Sequence, residues 1–192
     1  MRNEVIFAGF GGQGIVKAAL LLAQAAGLHE NKEVAQTQSY GPEARGGACR
    51  SEVVISDEEI DYIKALDIDC FVVMSQPALD KYLETVHPAK TFVIADTTLI
   101  RDVPERLKKV FPVEATRIAE QELGHSLFAN IVMLGALAAI TGVVSLSALE
   151  NSLDGNVPAK TLEKNRAALQ KGYAIGMKLI PQSSVNKIKK NR

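Results

Sequence analysis

The feature that most restricts the fold of this chain is its glycine turn, Gly9-Phe10-Gly11-Gly12-Gln13-Gly14. The apolar run Val5-Ile6-Phe7-Ala8 before it reads as a buried β-strand. The segment Ile15 to Leu28 after it is almost wholly apolar and reads as a helix that Gly27 ends. A strand that turns at once into a buried helix commits the chain to an α/β layer architecture. Glycines in such a turn permit positive φ and let the backbone approach another group closely. The N–H groups at the helix start then form an anion or phosphate site. Gly9, Gly11 and Gly14 satisfy G-x-G-x-x-G, the dinucleotide fingerprint. The same glycines serve equally as a tight corner that binds nothing.

A dinucleotide site also places an acidic residue at the end of the second strand, where it holds the ribose. The second strand, Glu33-Val34-Ala35-Gln36-Thr37-Gln38-Ser39, ends in amides and hydroxyls, with Glu33 at its other end. This counts against a self-sufficient nicotinamide or flavin enzyme. A phosphate-switch protein is the weaker rival. No G-x-x-x-x-G-K-[ST] occurs, and Lys17 stands three residues beyond the last glycine.

The loop Tyr40-Gly41-Pro42-Glu43-Ala44-Arg45-Gly46-Gly47 follows, then a third strand, Ser51 to Ile55. The connection is too short for a crossover helix, so strands two and three are expected to be antiparallel neighbours in a mixed, mostly parallel sheet. The loop then leaves the sheet beside the glycine turn, and Gln13 and Arg45 are expected to face one crevice. Arg45 is the only cation in the loop. Its planar fork suits a carboxylate, phosphate or pyrophosphate, and a surface pair with Glu43 would occupy it as well.

Downstream, Ser56-Asp57-Glu58-Glu59 has the form of a capping box and predicts a helix to about Leu66. Cys70 to Met74 and Thr91 to Asp96 read as strands, with a shorter one at Val110 to Ala115. Pro77 opens a helix, and Ile118 to Leu123 is a brief one stopped by Gly124. Ile131 to Ile140 reads as a buried helix, too short to span a bilayer. Ser145 to Leu153 and Lys160 to Ile180 are further helices, and the basic tail 181–192 reads as a frayed end. The expectation is one domain, residues 1–180, of Rossmann-like three-layer form.

Lys plus Arg balance Asp plus Glu at 22 each, so nothing suggests nucleic acid or an acidic membrane as a partner. Nothing at the N-terminus reads as a leader, and the cytoplasm is the expected location. Two cysteines, Cys49 and Cys70, are too few for an iron–sulfur cluster. His29, His87 and His125 share no ligand spacing with them, so no metal is expected on this chain. Cys70 reads as a packed thiol, and Cys49 as one that could be exposed.

Taken together, the glycine turn and Gln38-Ser39-Tyr40-Gly41-Pro42-Glu43-Ala44-Arg45-Gly46-Gly47 resemble the γ subunit of 2-oxoacid:ferredoxin oxidoreductases. Asn130 to Leu137 and Lys164-Asn165-Arg166-Ala167 resemble it too. The wording of the second loop is most similar to the 2-oxoglutarate branch, with pyruvate, 2-oxoisovalerate and indolepyruvate relatives carrying related forms. The resemblance implies a complex that decarboxylates a 2-oxoacid with coenzyme A, giving acyl-CoA and CO2 and reducing ferredoxin. It implies thiamine diphosphate and Mg on α and β subunits, and clusters on β or a ferredoxin-like δ subunit. For this chain it implies no cofactor and no catalytic residue. Gly11, Gly12, Gln13, Gly14, Gln38, Tyr40, Arg45, Gly46 and Gly47 are then expected at the coenzyme A or 2-oxoacid entrance, or at a subunit contact.

Overall fold

In the computed structural model the described residues are 1–38 and 47–180. The strands are β1 (Arg2–Phe10), β2 (Glu33–Gln38), β3 (Ala48–Ser56), β4 (Cys70–Val73), β5 (Phe92–Asp96) and β6 (Val110–Val113). The helices are α1 (Ile15–His29), α2 (Gln76–Tyr82), α3 (Ala115–Leu123), α4 (Ala129–Thr141), α5 (Leu146–Leu153) and α6 (Leu162–Leu179). One sheet has the order β2-β3-β1-β4-β5-β6. Only β3 is reversed, pairing antiparallel with both β1 and β2, while β1-β4, β4-β5 and β5-β6 are parallel. The mixed, mostly parallel sheet agrees with the reading of the sequence.

Alternation along the strands divides the core in two. Val5 and Phe7 of β1 join Cys70 and Val72 of β4 under α1, α4, α5 and α6. Ile6 and Ala8 join Phe71 and Val73 under α2 on the other face. Twelve of the thirteen residues of α4 are buried, as expected of a helix that is apolar on every side. Against it lies α6 at backbone contact. A Cβ on Gly172 would come within 1.9 Å of the Val132 carbonyl oxygen, and one on Gly135 within 2.1 Å of the Leu169 carbonyl oxygen. Glycine is the only residue that permits this approach. Among the described residues no helix is long and apolar enough to cross a membrane.

Three local expectations are corrected. Helix α1 runs through Gly27 to His29. There a Cβ would sit 3.4 Å from Val34 Cγ2, so Gly27 lies against β2 and does not stop the helix. The segment after β3 is not a helix. Ser56 Oγ accepts from Glu58 N at 3.0 Å, one residue short of the capping-box geometry. Further on, Ala65 N donates to Glu52 at 3.1 Å, and Asp67 N and Leu66 N donate to Glu4 Oε2, the former at 2.7 Å. Glu4 and Glu52 are buried on adjacent strands of one face. They supply the acceptors a helix would otherwise provide. The third correction is Cys49, which is buried.

Candidate functional site

The turn after β1 is held by its own side chain. Gln13 Oε1 accepts from Phe10 N at 2.6 Å, and Gln13 Nε2 donates to the Met74 carbonyl at 2.9 Å. The amide therefore braces the end of β1 against the end of β4. These are the two strands between which the chain reverses direction, since α1 leads from β1 to β2 at one edge of the sheet and α2 leads from β4 to β5, toward the other edge. In open α/β sheets this switch point is where ligands enter. Here Gln13 spans it, with both ends of its amide engaged with backbone.

Gly12 and Gly14 have φ of +96° and +76°, where a side chain is strained. Gly14 caps α1 without a side chain. A Cβ there would lie 2.4 Å from Asn130 Nδ2, which instead donates to the Gly14 carbonyl at 3.1 Å. By contrast a Cβ at Gly12 would meet nothing within 4 Å. Gly12 is thus the open crest of the turn, with a depression on each side. One, of about 290 Å³, is lined by Phe10, Gly11, Val16, Lys17 and Cys49. The other, of about 190 Å³, lies over Gln13, Met74, Leu99 and Thr116. Phe10, Val16, Leu99 and Leu127 all expose apolar surface at this end of the sheet.

Beside the second depression Asp96 ends β5, fully buried. It accepts from Thr98 N at 3.1 Å, Thr116 N at 3.1 Å and Thr116 Oγ1 at 2.6 Å. Burial pushes its carboxyl above the ordinary range against the pull of these donors. Its role in the geometry is to fix the start of α3.

The remaining expected site residues divide sharply. Gln38 is the last residue of β2, opposite Ser51, and Gly47 directly precedes β3, where Ala48 pairs with Phe10. Both ends of the second glycine loop therefore meet the sheet at the edge carrying the first turn. Tyr40, Arg45 and Gly46 lie outside the described residues, as does the tail 181–192. The absent ribose-binding acid also has a structural reason. Because β3 is inserted between β1 and β2, the end of β2 is two strand spacings, roughly 10 Å, from β1.

Two residues at the site were not among the expected site residues. Lys17 lines the depression beside Gly12, and its signal was a cation in the first turn of a helix otherwise free of charge there. Asn130 opens one of the segments that carry the family resemblance, but its contact with Gly14, across 116 positions, has no local signal. The thiols do not suit a metal cluster. Cys49 is opposite Gly9 and Cys70 opposite Val5, on different sides of β1. Four residues along the strand and two strand spacings across it separate them by roughly 16 Å, and burial pushes the Cys70 thiol far up.

Comparison with known proteins identifies the architecture. The family described as Pyruvate ferredoxin/flavodoxin oxidoreductase matches residues 4–175. The 2-oxoglutarate synthase subunit KorC of Methanocaldococcus jannaschii is 46% identical over 180 residues, which are 93% of this chain and 96% of that protein. The pyruvate synthase subunit PorC of Thermotoga maritima is 32% identical, over 88% of this chain and 92% of that one. Among solved structures, the γ subunit of a keto/oxoacid ferredoxin oxidoreductase from Geobacter sulfurreducens superposes with a TM-score of 0.85 at 35% identity, covering 93% of this chain and 98% of that one. Nearly the whole chain is matched in sequence and in fold, and it belongs to the pyruvate ferredoxin/flavodoxin oxidoreductase family.

Proposed function

We propose that this chain is the γ subunit of a cytoplasmic 2-oxoglutarate:ferredoxin oxidoreductase. The complex oxidatively decarboxylates 2-oxoglutarate with coenzyme A to succinyl-CoA and CO2, and ferredoxin takes the electrons. The observation that carries the reading is the 46% identity to KorC over almost the full length of both chains, against 32% to the pyruvate subunit. The match covers 93% of this chain and 96% of that protein, which supports the subunit role.

In this reading α and β subunits hold thiamine diphosphate and Mg, and β or a ferredoxin-like δ subunit holds the iron–sulfur clusters. Thiamine diphosphate supplies the carbanion chemistry of decarboxylation when bound there. The present chain has neither the thiols nor their geometry for a cluster, and its part is to bind and to position. The crest at Gly12 offers backbone N–H groups at a helix start, with Lys17 in the first turn. That combination favours a phosphate or carboxylate. Arg45, with the backbone near Gly12 and Gly47, borders the entrance used by coenzyme A or the 2-oxoacid. The apolar rim of Phe10, Val16, Leu99 and Leu127 seats against the partner subunits and keeps bulk water from that entrance.

The test is to purify the assembled complex through a tag on this chain and to follow coenzyme A-dependent viologen reduction. Partners that co-elute with thiamine diphosphate and iron support the reading. A colourless lone chain that binds NADH would replace it with a Rossmann nucleotide-binding protein. Within the complex, Arg45→Ala is expected to raise the KM for coenzyme A or for the 2-oxoacid. Unchanged constants for both would remove Arg45 from the entrance.

A further inference from the structure

The connection 57–69 joins β3 to β4 without helix or strand, yet its backbone is fixed. Arg2 Nη2 donates to the Tyr62 carbonyl at 2.8 Å and to the Lys64 carbonyl at 3.2 Å. The amides of 65–67 are taken by Glu4 and Glu52, and Thr91 Oγ1 donates to the carbonyl of buried Ile68 at 2.8 Å. Against this anchored main chain, Tyr62, Ile63 and Leu66 stand 49%, 53% and 72% exposed. Large apolar side chains gathered on a fixed surface mark a contact site. The segment is also acidic, with six carboxylates and one cation, Lys64. Asp57 pairs with Lys32 and the N-terminal amine, and Asp69 accepts from Glu4 N. Glu58, Glu59, Asp61 and Asp67 are exposed, and their carboxylates have no hydrogen bond or ion pair among the described residues. The occupant that fits brings cations and apolar groups together. A second copy presenting the same patch would set like charges face to face.

The chain itself holds a segment of the required kind. Residues 181–192 carry Lys187, Lys189, Lys190 and Arg192, together with Val185 and Ile188, and no acid. They lie outside the described residues, but the point from which they leave the fold does not. Helix α4 starts beside Gly14, where Asn130 is bonded, and four residues beyond its end Ser145 N donates to Glu30 Oε1 at 2.7 Å. Glu30 lies just before β2, whose first residue pairs with Ser56, and Ser56 is itself opposite Arg2. Helix α4 therefore spans the sheet from the carboxyl end of β1 to its amino end. Helix α6 runs parallel to it, with Gly172 at Val132 and Gly176 at Ala136 and Ala139. It ends at Leu179, and Ile180 is buried. Residue 181 thus departs from the end of the sheet that carries Arg2 and the connection 57–69. Twelve residues reach roughly 40 Å, several times the roughly 10 Å between packed helix axes. A tether of this length holds its basic segment at a local concentration on the order of millimolar, which a separate basic chain would have to exceed.

We propose that residues 185–192 dock on the exposed face of the connection 57–69 of the same molecule. Val185 and Ile188 cover Tyr62, Ile63 and Leu66, and the cations face Glu58, Glu59, Asp61 and Asp67. The contact is a property of the free chain and is independent of the function proposed above.

The test uses the full chain with a nitroxide on Asn191→Cys, which labels selectively because Cys49 and Cys70 are buried. In amide NMR at low salt, the signals of 58–67 are expected to lose most of their intensity to the spin label. Those of 97–102, at the opposite end of the sheet, should keep theirs. Molar salt should restore the lost signals, since the Debye length falls to about 3 Å. The combined change Lys187→Glu, Lys189→Glu and Lys190→Glu should restore them at low salt. So should Tyr62→Ser with Leu66→Ser, which alters only exposed side chains. No loss at 58–67 would overturn the proposal and leave the patch to another protein. A loss that survives the charge reversal would also overturn it, by reducing the effect to proximity. A loss produced by mixing spin-labelled chain with isotope-labelled, unmodified chain would overturn it in favour of a second copy. The substrate preference of the complex enters none of these outcomes, so either proposal can fail alone.

Discussion

Two glycine-to-alanine substitutions separate helix propensity from packing. Both Gly27 and Gly172 lie inside helices, where alanine is favoured by about 1 kcal/mol. At Gly27 the new methyl would meet Val34 Cγ2 at 3.4 Å, an ordinary contact. At Gly172 it would meet the Val132 carbonyl oxygen at 1.9 Å and its carbon at 2.7 Å. Both obstacles are backbone of a helix that is buried almost throughout, so neither can swing aside. Helices α4 and α6 would have to part by at least about 1 Å, and overpacking of this kind costs about 1–3 kcal/mol even where side chains can yield. With backbone against backbone the cost lies at or beyond the upper end, and the propensity gain offsets only part of it. The expected result is a net loss of about 2–4 kcal/mol for Gly172→Ala and a gain of up to about 1 kcal/mol for Gly27→Ala. With a urea slope of about 2 kcal/mol per molar, the first midpoint falls by about 1–2 M and the second rises by less than about 0.5 M. A Gly172→Ala midpoint at or above that of the parent would refute the helix contact.

Other consequences are testable by simple means. Gln13→Ala removes two hydrogen bonds that tie β1 to β4. It should cost about 1–2 kcal/mol in urea unfolding, and an unchanged midpoint would show that the brace is not formed. Asp57 is held at a pKa of about 2 by hydrogen bonds from Lys32 and then from the N-terminal amine. A depressed carboxyl stabilises the fold above its ordinary value of 3.8 and ceases to do so as pH falls through about 2. The stability difference between the parent and Asp57→Asn should therefore vanish near pH 2, and a difference that persists there would contradict the pairing. Neither Cys49 nor Cys70 should react with a thiol reagent before unfolding, since both are buried and burial raises the Cys70 thiol. Rapid labelling of Cys49 in the native chain would show that β3 opens beside the glycine turn.

What could be read from the sequence was what local pattern determines. The strand–turn–helix at Gly9 to Gly14, the hairpin relation of β2 and β3, and the all-round apolarity of α4 follow from spacing and residue type alone. The misreadings came where distant residues decided. The capping box at Ser56 lost its helix because Glu4 and Glu52, from neighbouring strands, take the amide hydrogens of 65–67. Gly27 resembled a stop, but it marks the approach of β2, which only the tertiary fold supplies. Gln13 sits in the middle of the glycine motif, and its bond to the Met74 carbonyl, 61 positions away, has no local signal.

The central claim is that this chain is the γ subunit of an enzyme acting on 2-oxoglutarate. Its most direct test is a rate comparison in the complex purified through this chain, with 2-oxoglutarate, pyruvate, 2-oxoisovalerate and indolepyruvate as substrates. The account expects coenzyme A-dependent viologen reduction with the highest kcat/KM for 2-oxoglutarate, and no activity from this chain alone. A higher kcat/KM for one of the other three acids would contradict the substrate assignment, and an active complex that lacks this chain would contradict its place in the enzyme.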